Sequence, residues 1–154
     1  MEKLTKGIQA PVFNGFDQDG KEIKLSDLKG KKIILYFYPK DFTSGCTAEA
    51  ENLRDNFDFW EKSGYTIIGV SPDSVDSHCK FKDKHNLPFT LISDEDLKIA
   101  NLYHVYGPKK MYGREYMGIY RTTFVIDGNG TIVDIIEKVK TKDHSAQLVK
   151  LLEL

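Results

Sequence analysis

A cysteine stands where an apolar run gives way to a helical pattern, in Pro39-Lys40-Asp41-Phe42-Thr43-Ser44-Gly45-Cys46-Thr47-Ala48-Glu49. Unpaired N–H groups and the positive dipole end at a helix start favour an anion. A thiol there gives up its proton more readily than a free cysteine, whose pKa is ~8.5, and the thiolate is the nucleophile. Thr43, three residues earlier, has a hydroxyl able to donate to the thiolate or to orient an incoming peroxide. Pro39 has no N–H, so its ring can wall off one side of the sulfur, and Gly45 lets backbone come close to the reacting atoms. These residues suit attack on an O–O bond, whose departing oxygen carries negative charge that preorganised donors stabilise. The competing reading of Cys46 is a small buried hydrophobe.

The elements that must hold this run alternate short β-branched stretches with segments of helical period. Val12 to Phe16 and Glu22 to Leu25 flank the turn-forming Asp17–Gly20 and read as a hairpin. Lys32 to Tyr38 is nearly all apolar, as expected of a central strand covered on both faces, and Thr66 to Val70 repeats that signature. Between them Ala50, Leu53, Phe57 and Trp60 recur at helical spacing and predict one helix over Thr47 to Lys62. A second helix is expected from Ser74 to His85, with Val75, His78 and Phe81 on one face. Phe89 to Ile92 reads as a strand, Leu97 to Tyr103 as a helical turn, and His104 to Tyr120 as irregular. Thr122–Asp127 and Thr131–Ile136 form a hairpin across Gly128-Asn129, and a last helix from Asp143 to Leu152 turns Leu148, Leu151 and Leu152 inward. This order is α/β, with the layout of a thioredoxin-like fold: a central mixed sheet flanked by helices, plus an added N-terminal β-hairpin.

The 154 residues carry no repeat, low-complexity tract or linker, so a single domain over 1–154 is expected. Twenty-two Lys and Arg against 23 Asp and Glu leave a net charge of -1, no field for nucleic acid or an anionic membrane. The amino terminus alternates charges, and no run approaches the ~18 apolar residues of a membrane span. Two cysteines are too few for a disulfide-built scaffold, so a cytoplasmic location is the expectation.

Pro39-x-x-x-Thr43-x-x-Cys46 matches the peroxiredoxin active-site motif, and Phe37-Tyr38-Pro39-Lys40-Asp41 through Cys46-Thr47 resembles the bacterioferritin-comigratory, or Q-type, branch. The likeness continues in Gly69-Val70-Ser71-x-Asp73-Ser74-x-x-Ser77-His78, Leu87-Pro88-Phe89 and Ser93-Asp94. Lys110-Met111-Tyr112-Gly113 and Gly118-Ile119-x-Arg121-x-Thr123-Phe124-x-Ile126-Asp127 extend it over almost the whole chain. The resemblance implies a thiol peroxidase that needs no metal, haem or flavin and acts on hydrogen peroxide or small organic hydroperoxides. Cys46 would be the peroxidatic cysteine, Thr43 and Pro39 its pocket, and Arg121 the arginine supplied from a distant strand. A guanidinium keeps its charge, so Arg121 can hold the thiolate and bind a peroxide oxygen; otherwise it is a surface ion pair. Glu49, one turn into the helix, orients Arg121 or simply complements the helix dipole. Relatives of this branch are often monomers, which makes a monomer the expectation.

A sulfenic acid on Cys46 must be captured by a thiol before further oxidation. Many Q-type relatives carry a resolving cysteine five residues after the first, where this chain has Glu51. Cys79, the other thiol, lies just off the stripe of Val75, His78 and Phe81 on a helix where some relatives place theirs. By that analogy an intramolecular Cys46–Cys79 disulfide forms and thioredoxin reduces it, although Cα atoms closer than ~7 Å require local unwinding. The alternative is a one-cysteine cycle in which an external thiol resolves Cys46 and Cys79 is a spectator.

Other readings are weaker. Without Cys-x-x-Cys, dithiol exchange of the thioredoxin kind is not expected, and the histidines and cysteines lack zinc-ligand spacing. A Cys-His hydrolase needs His78, His85, His104 or His144 against Cys46, and leaves Arg121 without a job. Lys109, Lys110 and Arg114, interleaved with Tyr106, Tyr112 and Tyr116, read as a solvated loop that helps shape a reductant-docking surface. A holdase or scaffold that lost its chemistry would have no need of Pro39, Thr43, Cys46 and Arg121 together.

Overall fold

The hairpin expected around Asp17 opens the fold as β1 (Asn14–Asp17) and β2 (Glu22–Lys24), with Asp17 Oδ1 accepting from the N–H groups of Asp19 and Lys21. The structure, a computed structural model, describes residues 3–154. Met1 and Glu2, where the charged amino-terminal stretch begins, lie outside the described residues. β3 (Lys32–Phe37), α1 (Ser44–Asp55), α2 (Phe57–Lys62) and β4 (Tyr65–Ser71) follow. After them come α3 (Val75–His85), β5 (Thr90–Ser93) and α4 (Lys98–Leu102), then β6 (Tyr106–Met111) and β7 (Arg114–Ile119). β8 (Thr122–Ile126), β9 (Ile132–Ile136) and α5 (His144–Leu152) complete the order.

Seven strands form a mixed sheet in the order β2-β1-β5-β4-β3-β8-β9, with β3, β4 and β5 parallel and β8 antiparallel to β3. Side chains alternate across it. Ile33, Leu35 and Phe37 join Phe124, Ile126 and Tyr103 on one face. Ile34, Tyr36 and Tyr38 join Val125, Phe81, Trp60 and Leu148 on the other, where Cys46 also lies. Both faces are covered, which is why β3 reads as an unbroken apolar run. No described helix is long and apolar enough to cross a membrane.

Three expectations are corrected. The single helix over Thr47 to Lys62 is two, parted at Asn56, whose side-chain amide donates to the Asn52 carbonyl at 2.8 Å. Asn side chains compete for backbone groups in this way. The break lets Trp60, fully buried, donate from Nε1 to Ser145 Oγ at 3.0 Å and tie α2 to α5. The stretch from His104 to Tyr120 is not irregular: β6 and β7 pair as a two-stranded ribbon closed by Tyr112 (φ 52°) and Gly113 (φ 79°). Positive φ at both central residues is the type I′ signature, hidden here because a tyrosine holds the place usually taken by Asn or Asp. In α5 Leu148 is buried as expected, but Leu151 is exposed and Leu152 only half-buried.

Candidate active site

Helix α1 begins at Ser44, one turn earlier than its apolar spacing indicates, so Cys46 lies within its first turn. The helix's first backbone bond runs from Thr47 N to Thr43 O, at 2.9 Å. The N–H groups of Ser44, Gly45 and Cys46 therefore have no partner within the helix and present positive charge around the sulfur. Cys46 is free and only 1% exposed, whereas Cys79 on α3 is free and exposed.

Arg121, in the bend between β7 and β8, crosses to this helix. Its Nη2 donates to Cys46 Sγ at 3.3 Å and its Nη1 to Glu49 Oε1 at 2.7 Å. Burial opposes the guanidinium charge, but Cys46 and Glu49 outweigh it and hold the pKa of Arg121 above its ordinary value. Gly45 supplies the room: a Cβ there would come within 3.3 Å of Nη2. Glu49 is fully buried, and this burial raises its pKa to about 7 despite Arg121. Its second oxygen, Oε2, has no hydrogen-bond partner among the described residues and lies 3.5 Å from His144 Nε2.

Pro39 is half-buried at the start of the loop, and Thr43 is exposed at the cap of α1. The Thr43 hydroxyl donates to Lys40 O at 2.8 Å, not to the sulfur. This corrects the expected donation to the thiolate and leaves the oxygen lone pairs free to accept from an incoming O–H.

Asp41, within the same motif, has a task that the sequence does not show. Its buried carboxylate accepts from Tyr38 Oη at 2.6 Å and Ser77 Oγ at 2.8 Å, and contacts His78 Nδ1 at 2.7 Å. His78 Nε2 faces the Ile92 carbonyl at 3.0 Å and must carry a proton toward it. The Asp41 N–H donates to Asp73 Oδ2 at 2.8 Å. The loop before Cys46 is thus fastened to the start of α3, one residue from Cys79. Asp41, Asp73 and His78 bring ligand atoms within 4.8 Å of one another, but hydrogen bonds inside the cluster already use them. A histidine on an otherwise apolar helix face was the sequence signal for this fastening.

Among the described residues no histidine hydrogen-bonds the Cys46 sulfur, which removes the geometric basis for a Cys-His hydrolase. His144 meets Thr123 and Gln147 instead, and burial lowers its pKa to about 4. Cys79 follows His78 on α3, while His78 and Phe81 face the core. At 100° per residue Cys79 points well away from that face, so the structure does not bring the two thiols together.

Residues 7–135 match the model of the AhpC/TSA family. The chain is 49% identical over 147 residues to the peroxiredoxin Bcp of Bacillus subtilis, covering 96% of this chain and 94% of that one. It is similar to the solved Xanthomonas campestris bacterioferritin comigratory protein, studied for its alkyl peroxide reduction activity, at 34% identity and a TM-score of 0.85 over 92% and 90% of the two chains. A variant of Xylella fastidiosa PrxQ superposes with a TM-score of 0.91 at 30% identity, over 99% and 98% of the two chains.

Proposed function

This chain belongs to the AhpC/TSA family and is a thiol peroxidase of the peroxiredoxin kind, and on that footing we propose that Cys46 is its peroxidatic cysteine. The observation that carries this reading is the 3.3 Å contact between Arg121 Nη2 and Cys46 Sγ within the first turn of α1. The Cys46 thiolate attacks one oxygen of the hydroperoxide. An S–O bond forms, the O–O bond breaks, and the departing hydroxide or alkoxide takes a proton to become water or an alcohol. Sulfur is oxidised to the sulfenic acid as the peroxide is reduced. Arg121 stabilises the thiolate and then the charge that grows on the peroxide oxygens. Thr43 Oγ1 accepts a hydrogen bond from the hydroperoxide O–H and so orients the O–O axis, and Pro39 shields the sulfur from bulk water. Glu49 holds Arg121 in place. Hydrogen peroxide and small alkyl hydroperoxides are the substrates, in keeping with the alkyl peroxide activity of the Xanthomonas relative.

The sulfenic acid condenses with the Cys79 thiol, releasing water and forming a disulfide. Thioredoxin then reduces that disulfide through a mixed disulfide. For this, α1 must unwind at its start and α3 must release His78 from Asp41 so that Cys79 can turn inward. A second reading has an observation of its own. Cys79 is exposed and faces away from the core, which favours direct capture of the sulfenic acid by an external thiol. The protein works in either case as a soluble monomer in the cytoplasm, without nucleic acid, membrane or cofactor. Cys46→Ser is expected to abolish peroxide consumption, and an active Cys46→Ser enzyme would overturn the reading. Loss of thioredoxin-dependent turnover in Cys79→Ser supports the intramolecular disulfide, whereas full turnover supports the external thiol.

A further inference from the structure

Side chains alternate across the ribbon of β6 and β7, so its register assigns each of them to one of two faces. Tyr106, Pro108 and Lys110 share one face with their partners Ile119, Met117 and Glu115. Ile119 and Tyr106 pack into the core around Phe124 and Tyr103, on the side of the sheet away from Cys46. The second face therefore turns to the side on which Cys46 lies. It carries Met111 opposite Arg114, Lys109 opposite Tyr116 and Gly107 opposite Gly118. A Cβ at Gly118 would stand 3.0 Å from Lys109 Cδ and 3.2 Å from Tyr116 Cε2, and Lys109 Nζ lies 6.0 Å from the Tyr116 ring centre. A Cβ at Gly107 would stand 2.7 Å from Tyr120 Oη, so the Tyr120 ring covers the bare glycine on this same face.

Met111, Tyr116 and Tyr120 are 55%, 42% and 37% exposed, and they form an apolar strip from the ribbon's tip to the residue before Arg121. Arg121 Nη2 reaches Cys46 Sγ at 3.3 Å, so the strip ends beside the site. Its charged side chains are Lys109 and Arg114, with no acid among them. Lys110 and Glu115, opposite charges set across the ribbon from each other, belong to the other face. Tyr, Met and Arg are enriched where proteins meet, and large apolar side chains exposed in one patch mark such places. The whole chain has a net charge of -1, so an attraction for acidic groups is local to this face. A second copy does not fit, because a two-fold contact would set cations against cations with no acid between them. The peroxidase cycle supplies a partner that does. Each turnover consumes two electrons, which arrive from outside by thiol–disulfide exchange, and their donor must rest against the protein while sulfur is exchanged.

We propose that this face of the ribbon is the docking surface for the protein dithiol that reduces the oxidised enzyme, a partner with an apolar contact patch bordered by acidic side chains. This rests on the reading of Cys46 as the reacting thiol and of thioredoxin as the reductant. The probe is thioredoxin, kept reduced by its reductase and NADPH, with kcat/KM read separately for thioredoxin and for hydrogen peroxide. Tyr116→Ala should lower kcat/KM for thioredoxin roughly tenfold, the scale of a central aromatic contact. Arg114→Glu should lower it roughly fivefold to tenfold at low salt, and the deficit should shrink in about 0.5 M salt. Lys110→Glu makes the same change of charge on the other face and should cost at most about twofold. All three variants should keep the wild-type kcat/KM for hydrogen peroxide and the wild-type rate of reduction by dithiothreitol, which needs no docking surface. Wild-type kcat/KM for thioredoxin in both Tyr116→Ala and Arg114→Glu would overturn the proposal. So would equal deficits in Arg114→Glu and Lys110→Glu. Oxidised wild type that dithiothreitol reduces and thioredoxin does not would remove the thioredoxin reading, and wild type whose Cys46 stays reduced would remove that of Cys46; either takes the proposal with it.

Discussion

Glu49 Oε2 and His144 Nε2 face each other at 3.5 Å inside the site with no proton fixed between them. Gln147 Oε1 accepts the Lys140 N–H and lies 3.1 Å from His144 Nδ1, which places the imidazole proton on Nδ1. His144 Nε2 is then an acceptor, filled by the Thr123 hydroxyl at 2.9 Å. Two lone pairs meet, and burial drives the two residues in opposite directions: Glu49 up from 4.5 to about 7, His144 down from 6.5 to about 4.

The pH dependence of stability follows from these shifts. A raised carboxyl pKa contributes stability that is complete below pH 4.5 and is lost as pH rises through about 7. A lowered histidine pKa contributes stability that is complete above pH 6.5 and is lost as pH falls through about 4. In wild type the two slopes oppose each other through the acid range. Glu49→Gln removes the first alone. The difference in melting temperature, Glu49→Gln minus wild type, should therefore rise between pH 4.5 and 7. A constant difference would show that Glu49 does not titrate in this window.

Arg121→Ala removes the donor that reaches the sulfur and the charge that balances the thiolate. By comparison with other preorganised anion-stabilising donors, the rate with hydrogen peroxide should fall about 10²–10³-fold, and the pH–rate profile should move to higher pH. Stopped-flow kinetics measure both. Wild-type kinetics in Arg121→Ala would refute the role given to the guanidinium.

Asp41→Ala strands the buried His78 and two hydroxyl donors at once. Breaking a buried pair from one side costs about 3–5 kcal/mol, readable in urea unfolding. Because the contact ties the Cys46 loop to α3, amide exchange in Val75–His85 should speed up more than in α5. Uniform acceleration would argue against a local fastening.

The Tyr112–Gly113 turn offers a test away from the site. Tyr112 is 98% exposed at φ 52°, so it bears a left-handed backbone without packing in return. Tyr112→Asn should stabilise the ribbon by roughly 0.5–1 kcal/mol, since Asn suits the first place of a type I′ turn. An unchanged or lower melting temperature would count against that assignment.

What the sequence reveals of this molecule depends on how local the cause is. β3 and β4 were legible because both faces of the sheet are covered and the whole strand is apolar. Cys46 was legible because its helix follows such a strand, and Arg121 because a family motif marks it. The ribbon of β6 and β7 was hidden by Pro108 inside a strand and by a tyrosine at the turn. The break at Asn56 depends on Trp60 reaching Ser145, a contact 85 residues away in the chain. Asp41 with His78, and Glu49 with His144, are pairings across the fold: the helical spacing marks His78 as inward-facing but names no partner, and nothing along the chain announces the second pair.

Intact-mass and peptide mass spectrometry on reduced protein treated with one equivalent of hydrogen peroxide tests the role of Cys46 most directly. The expected result is oxidation that begins at Cys46: a Cys46–Cys79 peptide lacking two hydrogens, and, in Cys79→Ser, a single added oxygen on Cys46. Peroxide consumed while Cys46 remains an unmodified thiol would contradict it.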